Sequence, residues 1–168
     1  MIRTILIIWV LLMAVKGVNA QIPGGSSISI NVSATVVSDS PIELLTLSNM
    51  IVQAEIIDNQ NIYISSISNP NAGLMQVKGK PGSKARVTYI LNEVLSQADG
   101  NSSITIKYEM SGHPERVQRA AKLMDTGEVL LEFGTDGLYY LWVGGRVNVS
   151  KAIPGKYTGQ FTIEIEYL

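Results

Sequence analysis

The 168-residue chain has no cysteine and a single histidine, His113. Disulfides and thiolate metal sites are therefore excluded, and the fold must be held by its own core. A lone imidazole has no second ligand at metal spacing, and Gly112-His113-Pro114 reads as an ordinary surface loop. Charge is scarce as well. Only 16% of residues are Asp, Glu, Lys or Arg, and the formal net charge is −1. No block of basic residues occurs, which argues against nucleic acid as a partner. No Gly-x-Ser-x-Gly elbow is present, and no calcium loop with oxygen ligands at close fixed spacing. Gly144-Gly145 is followed by neither Lys-Ser/Thr nor a helical pattern, so it is not a phosphate loop. We expect no enzyme and no cofactor, with no catalytic, cofactor-binding or metal residue to assign.

Long apolar runs are missing except at the start. Arg3 precedes an apolar stretch over residues 5–15, and Val18-Asn19-Ala20 then offers small residues at the −3 and −1 positions. This is the pattern of a signal peptide cleaved before Gln21. A membrane anchor is the competing reading, but the stretch falls short of the about 20 residues that a spanning helix needs. Without Arg3 and Lys16 the remaining chain carries 11 basic and 14 acidic residues, a net charge of −3. The chain after residue 20 has no second apolar segment long enough to span a bilayer and no cysteine for a lipid anchor. We expect residues 1–20 to be a signal peptide, 21–27 a flexible leader broken by Pro23, Gly24 and Gly25, and 28–168 a single domain. The product is expected in the periplasm, at the cell surface or outside the cell.

What fills the rest is short alternation punctuated by turns. Ile28, Ile30, Val32, Ala34 and Val36 alternate with Ser29, Asn31, Ser33 and Thr35, the period of a half-buried strand. Turn residues follow at 38–41, 58–61, 68–71 and 78–82, and at Asp99-Gly100-Asn101 and Asp136-Gly137. Between them lie strand-like segments at 42–47, 50–57, 62–67, 74–77, 85–91, 104–108, 129–133, 138–143, 147–149 and 157–167. This spacing predicts an all-β fold, an immunoglobulin-like antiparallel β-sandwich. The most helix-like stretch, 113–124, reads as a loop with one or two helical turns, Pro114 suiting a first helical position. Trp142 with Tyr139 and Tyr140 has two readings, a core tryptophan in a strand or a platform for stacking a sugar.

The last strand is the most informative. Phe161, Ile163, Ile165 and Tyr167 share one face, while Gln160, Thr162, Glu164 and Glu166 share the other. Glu164 and Glu166 are read as a solvated strand face rather than a carboxylate pair. Pro154-Gly155 makes the turn before Tyr157.

The ending Pro154-Gly155-x-Tyr157-x-Gly159-x-Phe161-x-Ile163-x-Ile165-x-Tyr167 resembles that of a bacterial secreted family carried as a domain of unknown function. Residues 77–83 leading into Val87-Thr88-Tyr89, and Leu141-x-Val143-Gly144-Gly145-x-Val147-x-Val149, fit the same template. The likeness covers most of residues 28–168. That family is pilin-like and resembles spore-coat-U-type and archaic chaperone–usher pilus subunits. The C-terminal pattern also resembles the pilin end that periplasmic chaperones recognise: Gly155 is fourteenth from the end and Tyr167 is penultimate. The cysteine pair many pilins carry near the N-terminus is absent here. The resemblance implies a surface or pilus-like subunit that assembles by β-strand addition. Its partners would be copies of itself or related subunits, and a periplasmic chaperone. Gly155, Tyr157, Phe161, Ile163, Ile165 and Tyr167 would form the receiving end. The candidate donor strand carries Ile28, Ile30, Val32 and Ala34. Alternation marks a buried face but cannot say in whose core, so this segment is also readable as the first strand of its own complete sandwich. The alternative function is a self-contained secreted sandwich that binds a glycan or another surface protein.

Overall fold

The computed structural model describes residues 26–36, 42–54, 61–97, 100–124, 126–150 and 152–168; for 26–36 and 53–54 the description is of the backbone alone. The expected signal peptide, residues 21–25 of the leader, the turn at 38–41, most of that at 58–61, and Asp99 lie outside the described residues.

Thirteen strands occur among the described residues. They are β1 (Ser26–Val36), β2 (Glu43–Ser48), β3 (Met50–Ala54), β4 (Asn61–Ile64), β5 (Gly73–Lys78), β6 (Lys84–Tyr89), β7 (Asn92–Gln97), β8 (Ser103–His113), β9 (Lys122–Met124), β10 (Glu128–Glu132), β11 (Leu138–Asn148), β12 (Tyr157–Thr158) and β13 (Gln160–Tyr167). One sheet runs β12-β7-β8-β11-β5-β2, with β4 also on β11 and β9 also on β8. The other runs β10-β6-β13-β1, and β1 belongs to both: its first residues pair with β3 and with β12 of the first sheet, its last with β13. The two pack as a β-sandwich, the expected class. No helix among the described residues is long and apolar enough to cross a membrane.

Period-two patterning builds the core. In β6, Ala85, Val87 and Tyr89 are buried while Lys84 and Thr88 are exposed; in β8, Ile104, Ile106 and Tyr108 are buried between exposed neighbours or, at Glu109, a half-buried one, and from Met110 to Gly112 the strand is buried on both faces. The two inner faces meet around Phe161, whose ring stands edge-on to Tyr108 at 4.5 Å and tilted against Tyr89 at 5.6 Å. Side chains from both sheets thus interlock, the packing that gives a sandwich its cohesion. On the outer face of the second sheet, Arg86 lies between Glu128 (3.5 Å) and Glu166 (3.3 Å), and Lys84 approaches Glu132 at 4.0 Å. Such exposed pairs add little stability each.

Two segments differ from the sequence reading. Residues 138–143 and 147–149 are not two strands; Leu138–Asn148 is continuous. Its partner changes from β5, opposite 138–143, to β4, opposite 145–148. At the change, Gly144 lies under the chain leaving β4: a Cβ there would overlap the Ile64 carbonyl and sit 2.7 Å from the Ser66 nitrogen. The glycine is present for close approach, not to break the strand. The stretch 113–124 holds only one 3₁₀ turn, Gln118–Ala120, then β9 on the flank of β8. His113 closes β8 instead of sitting in a loop. The Gln118 amide donates to the Ser66 and Asn69 carbonyls at 3.0 and 2.9 Å, so long-range bonds to the β4–β5 loop hold this segment where helix propensity alone does not.

A candidate assembly surface at the terminal strands

The C-terminal end is organised by Tyr157, which is fully buried. Its hydroxyl accepts from the Ile153 N–H (3.0 Å), donates to the Ile153 carbonyl (2.8 Å) and bonds the Ser102 hydroxyl (2.8 Å). A tyrosine clasping backbone a few residues upstream is the tyrosine-corner device of Greek-key sandwiches. Gly155 follows from the same turn. Its φ is +154°, and a Cβ would overlap the Gln97 side-chain amide. That amide donates to the Pro154 carbonyl at 3.2 Å.

Between β12 and β13 the chain leaves one sheet for the other. Glu93 fixes the crossing: one carboxylate oxygen accepts from the Gln160 N–H at 2.8 Å, the other from the Tyr108 hydroxyl at 2.5 Å. Burial first, and the hydrogen bond to Glu93 second, push the Tyr108 phenol far above its ordinary 10.0. Burial also raises Tyr139. An unfolded chain would ionise both phenols near pH 10 while the folded chain keeps them neutral. Their contribution to stability is therefore complete below pH 10 and declines as pH rises above it. In an ultraviolet titration we expect these two tyrosines to ionise only together with unfolding; reversible ionisation of all seven tyrosines near pH 10, with the fold intact, would contradict this.

Along β13, Phe161, Ile163 and Ile165 are fully buried. Tyr167 is half-buried, its ring 6.1 Å from Phe133 and its hydroxyl accepting from the Lys80 N–H at 2.7 Å. Glu164 and Glu166 lie on the opposite face, Glu166 with Arg86. The receiving-end residues are thus brought together on one wall of the sandwich, with Tyr157 and Gly155 at its base.

The candidate donor segment lies beside that wall. Ser26–Ile30 run antiparallel to β3, with Ile28 opposite Val52 and Ile30 opposite Met50. Asn31–Val36 then run parallel to β13, with Val32 opposite Phe161 and Ala34 opposite Ile163. Ile28 also pairs with Tyr157. The side chains of Ile28, Ile30, Val32 and Ala34 lie outside the described residues. The slot along β13 opposite β6 is therefore occupied within the same chain.

Sequence reasoning missed Glu93, Gln97 and the whole of β7. That strand inverts the usual polarity: Glu93 and Gln97 point inward beside Leu95, and Val94 is 59% exposed. The tyrosine–tryptophan cluster is no open platform. Trp142 is buried with Leu74 and Ala121, Tyr140 is half-buried against them, and Tyr139 is 7% exposed.

Fold and geometry together define a β-sandwich domain whose first and last strands lie side by side and whose C-terminal turn is locked by a tyrosine corner. The family described as Domain of unknown function (DUF4402) matches residues 24–167, and the chain belongs to that family. No curated protein matches the sequence.

Proposed function

We propose that this chain is an exported, non-enzymatic structural subunit of the bacterial surface, pilus-like in organisation, which assembles by β-strand addition at the slot beside β13. The observation that carries this reading is the pairing of Asn31–Val36 with Gln160–Ile165: the element completing the C-terminal strand is N-terminal and enters the fold by strand pairing. A strand before the rest of the domain can leave its own slot and fill the same slot in a neighbour without threading the chain, the exchange of an identical element that builds oligomers cheaply. Parallel pairing is also slightly weaker per residue than antiparallel pairing, which lowers the cost of release. Main-chain bonds would supply affinity and alternate side chains the register. The pilin-like likeness of the C-terminal pattern supports the same reading, as does the signal-peptide pattern of residues 1–20.

The test is removal of residues 21–36. The truncated chain should lose self-association and regain thermal stability when a synthetic peptide of residues 27–36 is added. A second reading, a self-contained secreted sandwich that binds a glycan or surface protein, is favoured by the occupation of the slot in cis. On that reading the full chain stays monomeric at high concentration, and the peptide does not exchange into it.

A further inference from the structure

The mouth of the sandwich between β8–β9 and β10 is a groove of about 490 Å³. It is lined by His113, Lys122, Leu130, Glu132, Phe133 and Tyr139, from four different strands and the residue that follows β10. Two kinds of unused hydrogen-bonding group meet there. The first is main chain. In the β10–β6 ladder the bonded positions are odd-numbered: the Tyr89 N–H donates to the Gly127 carbonyl (2.9 Å) and the Phe133 N–H to the Ser83 carbonyl (3.0 Å). The N–H and C=O groups of Leu130 and Glu132 therefore point away from β6. β10 ends its sheet, with no strand on that side among the described residues. The second is the hydroxyl of Tyr139, a side chain that is largely buried and lines the groove: it has no hydrogen-bond partner among the described residues, and its oxygen is open to the groove rather than enclosed.

The charges point to the ligand's sign. Lys122 has no acidic partner among the described residues, and the Glu115 main chain holds the His113 ring in place, its nitrogen 3.0 Å and its carbonyl oxygen 3.2 Å from Nδ1, with Nε2 on the other side of the ring. The one carboxylate at the rim among the described residues, Glu132, already faces Lys84 at 4.0 Å. Free strand edges select polypeptide over sugar, and neither Phe133 (3% exposed) nor Tyr139 offers an open ring face. We propose that this groove binds an extended acidic peptide segment of another protein, which adds as a strand to β10 and sets a carboxylate against Lys122, the His113 imidazole and the Tyr139 hydroxyl. Exposed Leu130, 60% accessible, packs against the alternate apolar side chains of the peptide. This site is separate from the slot beside β13.

The test uses the full chain and a short fluorescent peptide of alternating valine and glutamate, with a valine–lysine peptide as counterpart. Saturable binding of the acidic peptide is expected, weakening with salt, with the basic peptide binding at least about tenfold more weakly. Lys122→Glu should weaken it by about tenfold or more and leave self-association untouched. Tyr139→Phe removes no internal hydrogen bond, so it should keep the melting temperature and still weaken the peptide. No saturable binding, equal binding of the two peptides, binding unaffected by Lys122→Glu, or displacement by neutral sugars and not by acidic peptide would each overturn the proposal.

Discussion

Ile163→Asp should unfold this protein or bring it to the edge of unfolding. Ile163 is fully buried in the middle of β13, opposite Tyr89 on β6. The carboxylate would stand among apolar side chains and have no cation to meet, because Arg86 and the other charges of this sheet lie on its outer face. Burying an unpaired charge belongs to the few mechanisms that exceed about 4 kcal/mol, and a domain of this size holds only about 5–15 kcal/mol in all. The neighbouring change Glu164→Gln, exposed on the opposite face, should shift stability by less than about 0.5 kcal/mol. Denaturant titration followed by circular dichroism separates the two. Equal midpoints would show that this face of β13 is not core.

Gly144→Ala should be the next most damaging, although it adds one methyl group. The added Cβ would collide with backbone, the Ile64 carbonyl and the Ser66 N–H, and no rotamer change relieves a backbone contact. Overpacking of this kind costs about 1–3 kcal/mol and sometimes more. The strain falls on a loop that is otherwise well tied. Glu109 accepts from the Ser66 N–H (2.9 Å), the Ser66 hydroxyl (2.8 Å) and the Tyr63 hydroxyl (2.8 Å), and the Ser111 hydroxyl donates to the Ser66 carbonyl (3.1 Å). We therefore expect faster proteolysis and hydrogen exchange at residues 64–72, together with a lowered denaturation midpoint. A variant as stable and as protected there as the parent would show that the two chain segments can part at no cost.

The contrast between these two positions marks what one-dimensional pattern can carry. Ile163 was legible because β13 is half-buried along its whole length, so its partition between water and core is written as strict alternation. Gly144 was not, because its role depends on a chain segment about eighty residues earlier passing over it. Gly144-Gly145 therefore looked like an interruption where β11 in fact continues. The strand β7 was hidden for a different reason. Its inward residues include Glu93 and Gln97, which serve the Tyr108 hydroxyl and the 153–154 turn, so its polarity runs against the rule that reveals other strands. At the candidate site, alternation in residues 28–36 announced a strand. Its neighbour, the parallel β13, follows only from the topology. The groove at β10 left no trace in the sequence, since Tyr139, Lys122 and Leu130 meet only in three dimensions.

In the assembly proposed for this chain, β1 of one copy occupies the slot beside β13 of another. The chain has no cysteine, so a pair of single substitutions reports this without background. Ser33 and Thr162 are directly opposite in the β1–β13 register. Mixing the Ser33→Cys and Thr162→Cys variants at high concentration under oxidising conditions should give disulfide-linked dimers that join one variant to the other. If the mixture stays monomeric while the double variant closes an internal disulfide, the strand is held by its own chain alone and the account of assembly by strand addition is wrong.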